Sequence, residues 1–198
     1  MSVDWSARYQ SGETPWEKGE PHPELPFLLS QHQEVAGDAE RILVPGCGFG
    51  HDANLIHSVT RAEVLGLDIA GEAIAQAKRE YYETGLAWAH GDLFEWPGRY
   101  DLVFEHTCFC AIAVERRADY AAAMARLIPV NGCLLGIFFL NPDHDREAGP
   151  PFGVTLDELM GFFQGDFDLE WSEEPRRTYP GREGKGRELS MLWRRKKI

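Results

Sequence analysis

The sequence predicts an α/β fold: a three-layer sandwich on a mostly parallel sheet, with an antiparallel edge and an N-terminal arm. Three observations carry this. Residues 41–140 alternate short β-rich apolar runs with helical stretches, a β-α repetition that places parallel strands between two helical layers. The last two apolar runs, 167–171 and 188–193, have no long helix between them and suit an antiparallel pair at the sheet edge. The first forty residues lack the pattern, with Trp5, Tyr9, Trp16 and Phe27 scattered among Pro15, Pro21, Pro23 and Pro26. A chain of 198 residues fits one domain, with 1–40 as an arm or lid and 41–198 as the core.

Each element has its own signal. Arg41–Pro45 reads as a buried strand because Ile42, Leu43 and Val44 run together without polar alternation and lead into glycines. A helix is expected over about 52–58, then a strand over 63–67. Residues 71–82 carry Ala73, Ile74, Ala77 and Tyr81 at helical spacing. A short strand over 86–90 lies between Gly85 and Gly91, and a fourth covers 100–104. Residues 117–127 form an alanine-rich helix with Tyr120, Met124 and Leu127 on one face, stopped by Pro129 and Gly132 before an apolar strand over 133–140. Thr155 followed by Glu158 has the spacing of a capping box and opens a helix to Phe163. Residues 173–185, rich in Pro, Gly and charge, read as a mobile loop, and within the arm only 24–35 has helical character.

Composition narrows the function. Apolar residues make up 43% and charged residues 26%, which excludes a disordered or collagen-like chain. Twenty basic against 32 acidic residues give a net charge of -12, which repels phosphate backbones and anionic membranes and leaves a small molecule as the expected partner. No secretory leader is visible and the longest apolar run is far too short for a bilayer, so a soluble cytoplasmic protein is expected. Cys47, Cys108, Cys110 and Cys133 include no C-x-x-C pair and are read as core or pocket lining, with no metal site. The basic run Arg194-Arg195-Lys196-Lys197 reads as a solvated terminus, and His144 as a solvated residue of a loop leading to Phe152 that acts as a lid.

Gly46-Cys47-Gly48-Phe49-Gly50 follows a strand and opens a helix, the setting in which Gly46 and Gly48 let backbone approach a ligand closely. The spacing is G-x-G-x-G, not the G-x-G-x-x-G of dinucleotide sites, so nicotinamide cofactors fall to second place. Asp68, 22 residues after Gly46 at a strand end, is placed to accept from two ribose hydroxyls, and Asp92, after the next strand, from an adenine amino group. Such a pair suits a nucleoside without phosphate, and S-adenosylmethionine is one. The plain alternatives are a helix cap at Asp68 and an ordinary turn at Asp92.

With these residues the chain resembles class I S-adenosylmethionine-dependent methyltransferases, which are Rossmann-like. The resemblance rests on the segment from Val44 to Asp52, on Asp68-Ile69 and on Gly91-Asp92-Leu93-Phe94. Trp5-x-x-Arg8-Tyr9-x-x-Gly12-x-Thr14-Pro15-Trp16-x-x-Gly19-x-Pro21 is similar to the N-terminal signature of the thiopurine S-methyltransferase superfamily, whose tryptophans in this segment cover the cofactor. The run from Tyr100 to Ile112 and Gly149-Pro150-Pro151-Phe152 extend the similarity and lean it toward the thiol and halide branch. By this resemblance Ile69 and Leu93 belong to the cofactor site, and Arg117 falls where the family has an arginine near the substrate. The family's Pro-Glu-Met-Arg run is here Val114-Glu115-Arg116-Arg117.

Methyl transfer from a sulfonium is an in-line displacement that asks for alignment and exclusion of water more than for catalytic groups. Aromatic faces attract the sulfonium by about 0.5–2 kcal/mol per ring, which places Trp5, Tyr9, Trp16 and Phe152 around cofactor and methyl. Glu105 and His106 follow a strand end, where ligands gather in open parallel sheets. His106 is a candidate to take a proton from a thiol, a halide would need no base, and either residue alternatively bonds the cofactor's amino acid part or nearby backbone. His51 reads as a helix-start residue. The expected activity is methyl transfer to a thiol, thiopurine or halide. The rivals are a non-catalytic S-adenosylmethionine-binding module and a nucleotide-dependent oxidoreductase.

Overall fold

A computed structural model describes residues 3–140 and 149–197; His144 and the lid expected around it lie outside the described residues. Seven strands form one sheet in the order β3-β2-β1-β4-β5-β7-β6. They are β1 (Arg41–Pro45), β2 (Glu63–Asp68), β3 (Ala87–His90), β4 (Leu102–His106), β5 (Cys133–Phe139), β6 (Phe167–Glu173) and β7 (Glu188–Arg195). The first five run parallel, and β7 is antiparallel to both β5 and β6. Strand order reverses at β1 and β4, so the carboxyl ends of Pro45, Asp68, His90 and His106 border the crevice where ligands of such sheets bind.

Period-two alternation builds the layers. Ile42, Val44, Leu102, Phe104, Leu135 and Ile137 point to one face, where they pack with α2 (Leu25–Gln31), α3 (Gln33–Asp38) and α4 (His51–Val59). Leu43, Val103, Leu134 and Phe138 point to the other, against α6 (Arg117–Leu127) and α7 (Leu156–Phe163). Helix α5 (Gly71–Glu80) packs along β2 and β3 and buries Ala73, Ile74 and Ala77. The capping box at Thr155 and Glu158 is formed as its spacing implies.

Three expectations need correction. The segment before residue 24 does contain a helix, α1 (Trp5–Ser11). It buries no residue, so it lacks an apolar stripe; its signals are the Asp4 side chain accepting from the Ala7 amide and the left-handed Gly12 after it. Leu25, Leu28, Leu29 and Ala36 are core residues, so 24–39 belongs to the sandwich and not to a separate arm. The loop after β6 is fastened at several points. One Glu24 oxygen accepts from the Arg176 and Arg177 amides at 3.0 Å each, and the buried Tyr179 donates to the Glu20 carbonyl at 2.8 Å. Its partners lie some 150 residues upstream, beyond any reading of local composition.

The fourth strand begins two residues later than expected because Asp101 turns outward and accepts from the Glu40 and Arg41 amides at 3.0 Å each, pinning the start of β1. Close approach of β4 and β5 is tightest at Gly136, where an added methyl would stand 2.6 Å from Glu105 Cβ and 2.7 Å from its carbonyl oxygen. Gly136→Ala is therefore expected to destabilise the protein by about 1–3 kcal/mol. Urea unfolding would read this as a lower midpoint at unchanged slope; an unchanged midpoint would mean the two strands part at no cost.

Candidate active site

The site begins where β1 ends. Gly46, Gly48 and Gly50 all have positive φ, which lets the chain turn sharply into α4. A side chain at Gly46 would run into Cys108 at 3.0 Å, and one at Gly48 would stand 3.3 Å from the Tyr9 hydroxyl. At Gly50 it would meet the Trp88 ring at 2.1 Å. Gly48 therefore presents bare backbone to the N-terminal segment, while Gly46 and Gly50 make room for Cys108 and Trp88.

Asp68 closes β2 beside it. Its Oδ2 accepts from the Gly48 amide and its Oδ1 from the Ala70 amide, both at 2.9 Å. Burial pushes this carboxyl's titration upward, and the amides of Ala70, Gly48 and Ile69 oppose that only in part. A buried carboxylate in this condition gains from further hydroxyl donors. Ile69, next in the chain, leaves an apolar side chain half in solvent. Asp92 follows β3 with Oδ1 accepting from the Phe94 amide at 2.9 Å, while Leu93 turns its side chain into the core and leaves only backbone for a ligand.

Residues 5–16 are closed over the loop. Tyr9 lies against Phe49, with ring centroids 5.5 Å apart, and Trp16 donates its indole N–H to the Tyr9 hydroxyl at 3.1 Å. Trp5 and Tyr9 both meet Trp16 edge-on. Burial, then the charge of Asp68, raises the Tyr9 pKa, so its phenol stays protonated. Arg8 lies over the Trp16 ring at 4.6 Å and the Trp5 ring at 5.8 Å, which shows that these faces accept a cation.

Four other residues fall differently. Glu105 is buried in the wall, with Oε1 accepting from the Phe109 amide at 2.9 Å and Oε2 from the Tyr120 hydroxyl, so it braces the turn after β4. Arg117, expected near the mouth, is fully buried and donates to the carbonyls of Phe152 (2.6 Å) and Gly153 (3.1 Å). The Phe152 amide in turn donates to the Cys110 carbonyl at 2.7 Å, so Arg117 positions Phe152 from behind. His106 ends β4 with Nδ1 bonded to Asp52 Oδ2 at 2.6 Å. Around these, Cys47, Cys108 and Cys110 are free thiols that burial keeps protonated.

Sequence reasoning overlooked Arg8, His22, Asp52, Trp88 and Tyr179. Arg8 stood inside the N-terminal signature and Asp52 at the end of the glycine-loop segment, but their partners are brought together only by folding: Asp52 and His106 lie 54 residues apart in the chain.

The donor set fits an adenosyl ligand: bare glycine backbone, a buried ribose-type carboxylate, an exposed apolar platform and aromatic faces that already hold a cation. Comparison with known proteins agrees. The chain is 32% identical to probable thiol methyltransferase 2 of Arabidopsis thaliana, over 79% of this chain and 70% of that one. It is 33% identical to thiocyanate methyltransferase 1 of the same plant, over 98% of this chain and 84% of the relative. The fold recurs in the N-methyltransferase NodS of Bradyrhizobium japonicum, solved with S-adenosylhomocysteine, at a TM-score of 0.73 and 13% identity over 96% of this chain and 98% of that one. Such a sheet, loop and lineage define an S-adenosylmethionine-dependent methyltransferase. A sequence profile of thiopurine S-methyltransferase matches residues 2–193, and the chain belongs to that family.

The closed segment is latched by His51, whose Nε2 meets Glu17 at 2.9 Å and whose Nδ1 meets the Tyr81 hydroxyl at 2.5 Å. The Glu17 hydrogen bond raises the His51 pKa above its ordinary 6.5. Burial works against ionisation of Glu17, but His51 and the Gly19 amide outweigh it and hold the carboxyl below its ordinary 4.5. The His51 contribution is full below pH 6.5 and fades as pH rises through the raised value; the Glu17 contribution is full above 4.5 and fades as pH falls through the lowered one. His51→Gln is expected to cost about 1 kcal/mol near pH 6 and nearly nothing at pH 9. Thermal unfolding of both forms across that range checks it, and a pH-independent difference would rule out the latch.

Proposed function

We propose that this protein moves a methyl group from S-adenosylmethionine to a small soft nucleophile, of the thiol, thiopurine or halide class, in the cytoplasm. The observation that carries the site assignment is the Asp68 carboxylate, buried at the exit of β2 between the glycine loop and Tyr9. When bound, the cofactor supplies an electrophilic methyl on a positively charged sulfur. Asp68 binds the ribose, Asp92 and the Leu93 backbone the adenine, with Ile69 as its platform. Gly46 and Gly48 allow close approach, and Trp5, Tyr9, Trp16 and Phe152 cover the sulfonium and exclude water. In this reading the chain works as one domain, with the segment up to about residue 20 as its cover. Arg117 and Glu105 act through others, Arg117 by holding Phe152 and Glu105 by bracing the turn behind it.

The small-molecule acceptor is supported by the net charge of -12, and a reducing compartment by four free cysteines. Among the described residues no helix is long and apolar enough to cross a membrane.

Asp68→Ala is expected to raise the Kd for S-adenosylhomocysteine at least about 100-fold by titration calorimetry, since a buried charged acceptor is lost. Wild-type affinity in that variant would end the ribose assignment. Arg117→Ala is expected to weaken acceptor use, with KM up roughly tenfold, because Phe152 loses its anchor. Equal loss of cofactor affinity would show instead that Arg117 holds the whole site together.

A further inference from the structure

His106 sits in a setting that its place at a strand end does not explain. Thr107, immediately after it, has φ +59, an uncommon conformation for a β-branched residue, and turns the chain sharply away. The ring's Nδ1 is 2.6 Å from Asp52 Oδ2, and the other Asp52 oxygen accepts from the His22 amide at 2.8 Å. Asp52 is second in α4, where a helix N-terminus favours negative charge. Burial opposes its ionisation, but His106 and His22 outweigh it and hold the carboxyl below its ordinary range. An ionised Asp52 requires the Nδ1 of His106 to carry hydrogen, which makes the Nε2 of a neutral ring a lone-pair acceptor. That Nε2 is buried and has no hydrogen-bond partner among the described residues.

We infer that Asp52 and His106 form an orienter and base pair that takes the proton from the acceptor, so the acceptor is a neutral thiol and not a halide or thiocyanate ion. This rests on the methyl-transfer reading above. An anion that is already a nucleophile gives a lone pair on imidazole nothing to do, and a buried unpaired nitrogen costs stability unless a donor meets it. A thiol supplies that donor. Its S–H bond breaks with the proton passing to Nε2, its electron pair forms the new S–CH3 bond, and the sulfonium's methyl–sulfur bond breaks with its pair staying on the departing thioether. The products are a methyl thioether, S-adenosylhomocysteine and a proton, which the imidazolium later returns to water.

The groups facing His106 suit this task. His22 meets it edge-on at 4.8 Å, and the ring of Tyr179 stacks at 6.0 Å. His22 accepts from the Glu24 amide on Nδ1 and faces Glu188 with Nε2, which a neutral ring satisfies, and burial lowers its pKa. It thus brings no second positive charge beside the imidazolium. Glu188 is held at about 2, burial being outweighed by His22, Thr178 and Arg182, so it remains an anion behind His22. Glu105, one residue before His106, points to the opposite face of β4, toward Tyr120, and burial raises its pKa. Asp52 is then a positioning residue and His106 the catalytic one.

The test compares a benzyl thiol with thiocyanate as acceptors, from about pH 6 to 10. In His106→Gln the ratio of kcat/KM for thiol over thiocyanate is expected to fall about 100-fold at pH 7, with the thiol rate recovering as the thiol itself ionises. Asp52→Asn is expected to shift the ratio the same way, because the wrong tautomer is then favoured. Since Asp52 also holds the His22 backbone, wild type gives an independent reading. Its kcat/KM over thiols of different acidity at pH 7 should vary less than their thiolate fractions. An unchanged ratio in His106→Gln, wild-type rates proportional to thiolate, or turnover of thiocyanate with no thiol turned over would each overturn the base. Failure of the methyl-transfer reading looks different: no methylation of either acceptor and no heat on adding S-adenosylhomocysteine.

Discussion

A carboxylate removed from water must be surrounded by donors, and this protein uses that requirement as its main fastening device. Asp68 ties the glycine loop to the helix that follows β2. Asp52 joins the start of α4 to His106 and to the backbone of His22. Glu105 joins the end of β4 to α6 through Tyr120, and Glu24 holds the loop after β6. Each bond stands near the carboxyl edge of the sheet or on a segment that reaches it, so the acidic residues that give the chain its charge also shape its crevice. Few of them are placed to act on a substrate directly.

The division of labour follows from the chemistry. Displacement at a methyl group gains most from alignment and dryness, and the residues most buried at the site serve those ends. Arg117 donates to the carbonyls of Phe152 and Gly153 and so holds the backbone that carries an aromatic ring. The indole of Trp88 fills the space behind Gly50 and Gly66 and keeps the glycine turn in place. His106 Nε2, at the end of β4, is buried with no hydrogen-bond partner among the described residues, as are His32 Nε2 and His57 Nδ1 elsewhere in the fold.

Much of this was legible in the sequence because it depends on local rules. Apolar runs ending in glycine gave the parallel strands, Thr155 with Glu158 gave the last helix, and the glycine loop with Asp68 and Asp92 pointed to a phosphate-free nucleoside. What stayed hidden depends on distance along the chain. Helix α1 has caps but no buried stripe, so periodicity could not reveal it. The inward turn of Arg117 follows from carbonyls 35 and 36 residues away, and the pairing of Asp52 with His106 from the meeting of the start of α4 with the end of β4. A polar residue's partner across the fold leaves no pattern in its neighbours.

The bond between His22 and Glu188 spans 166 residues. On the ribosome, His22 therefore gains this partner only once Glu188 has been made, although its Nδ1 can meet the Glu24 amide earlier. Only then does β7 slot between β5 and β6 and deliver the anchor. The strand that completes the sheet is thus also the one that fixes the segment entering α2.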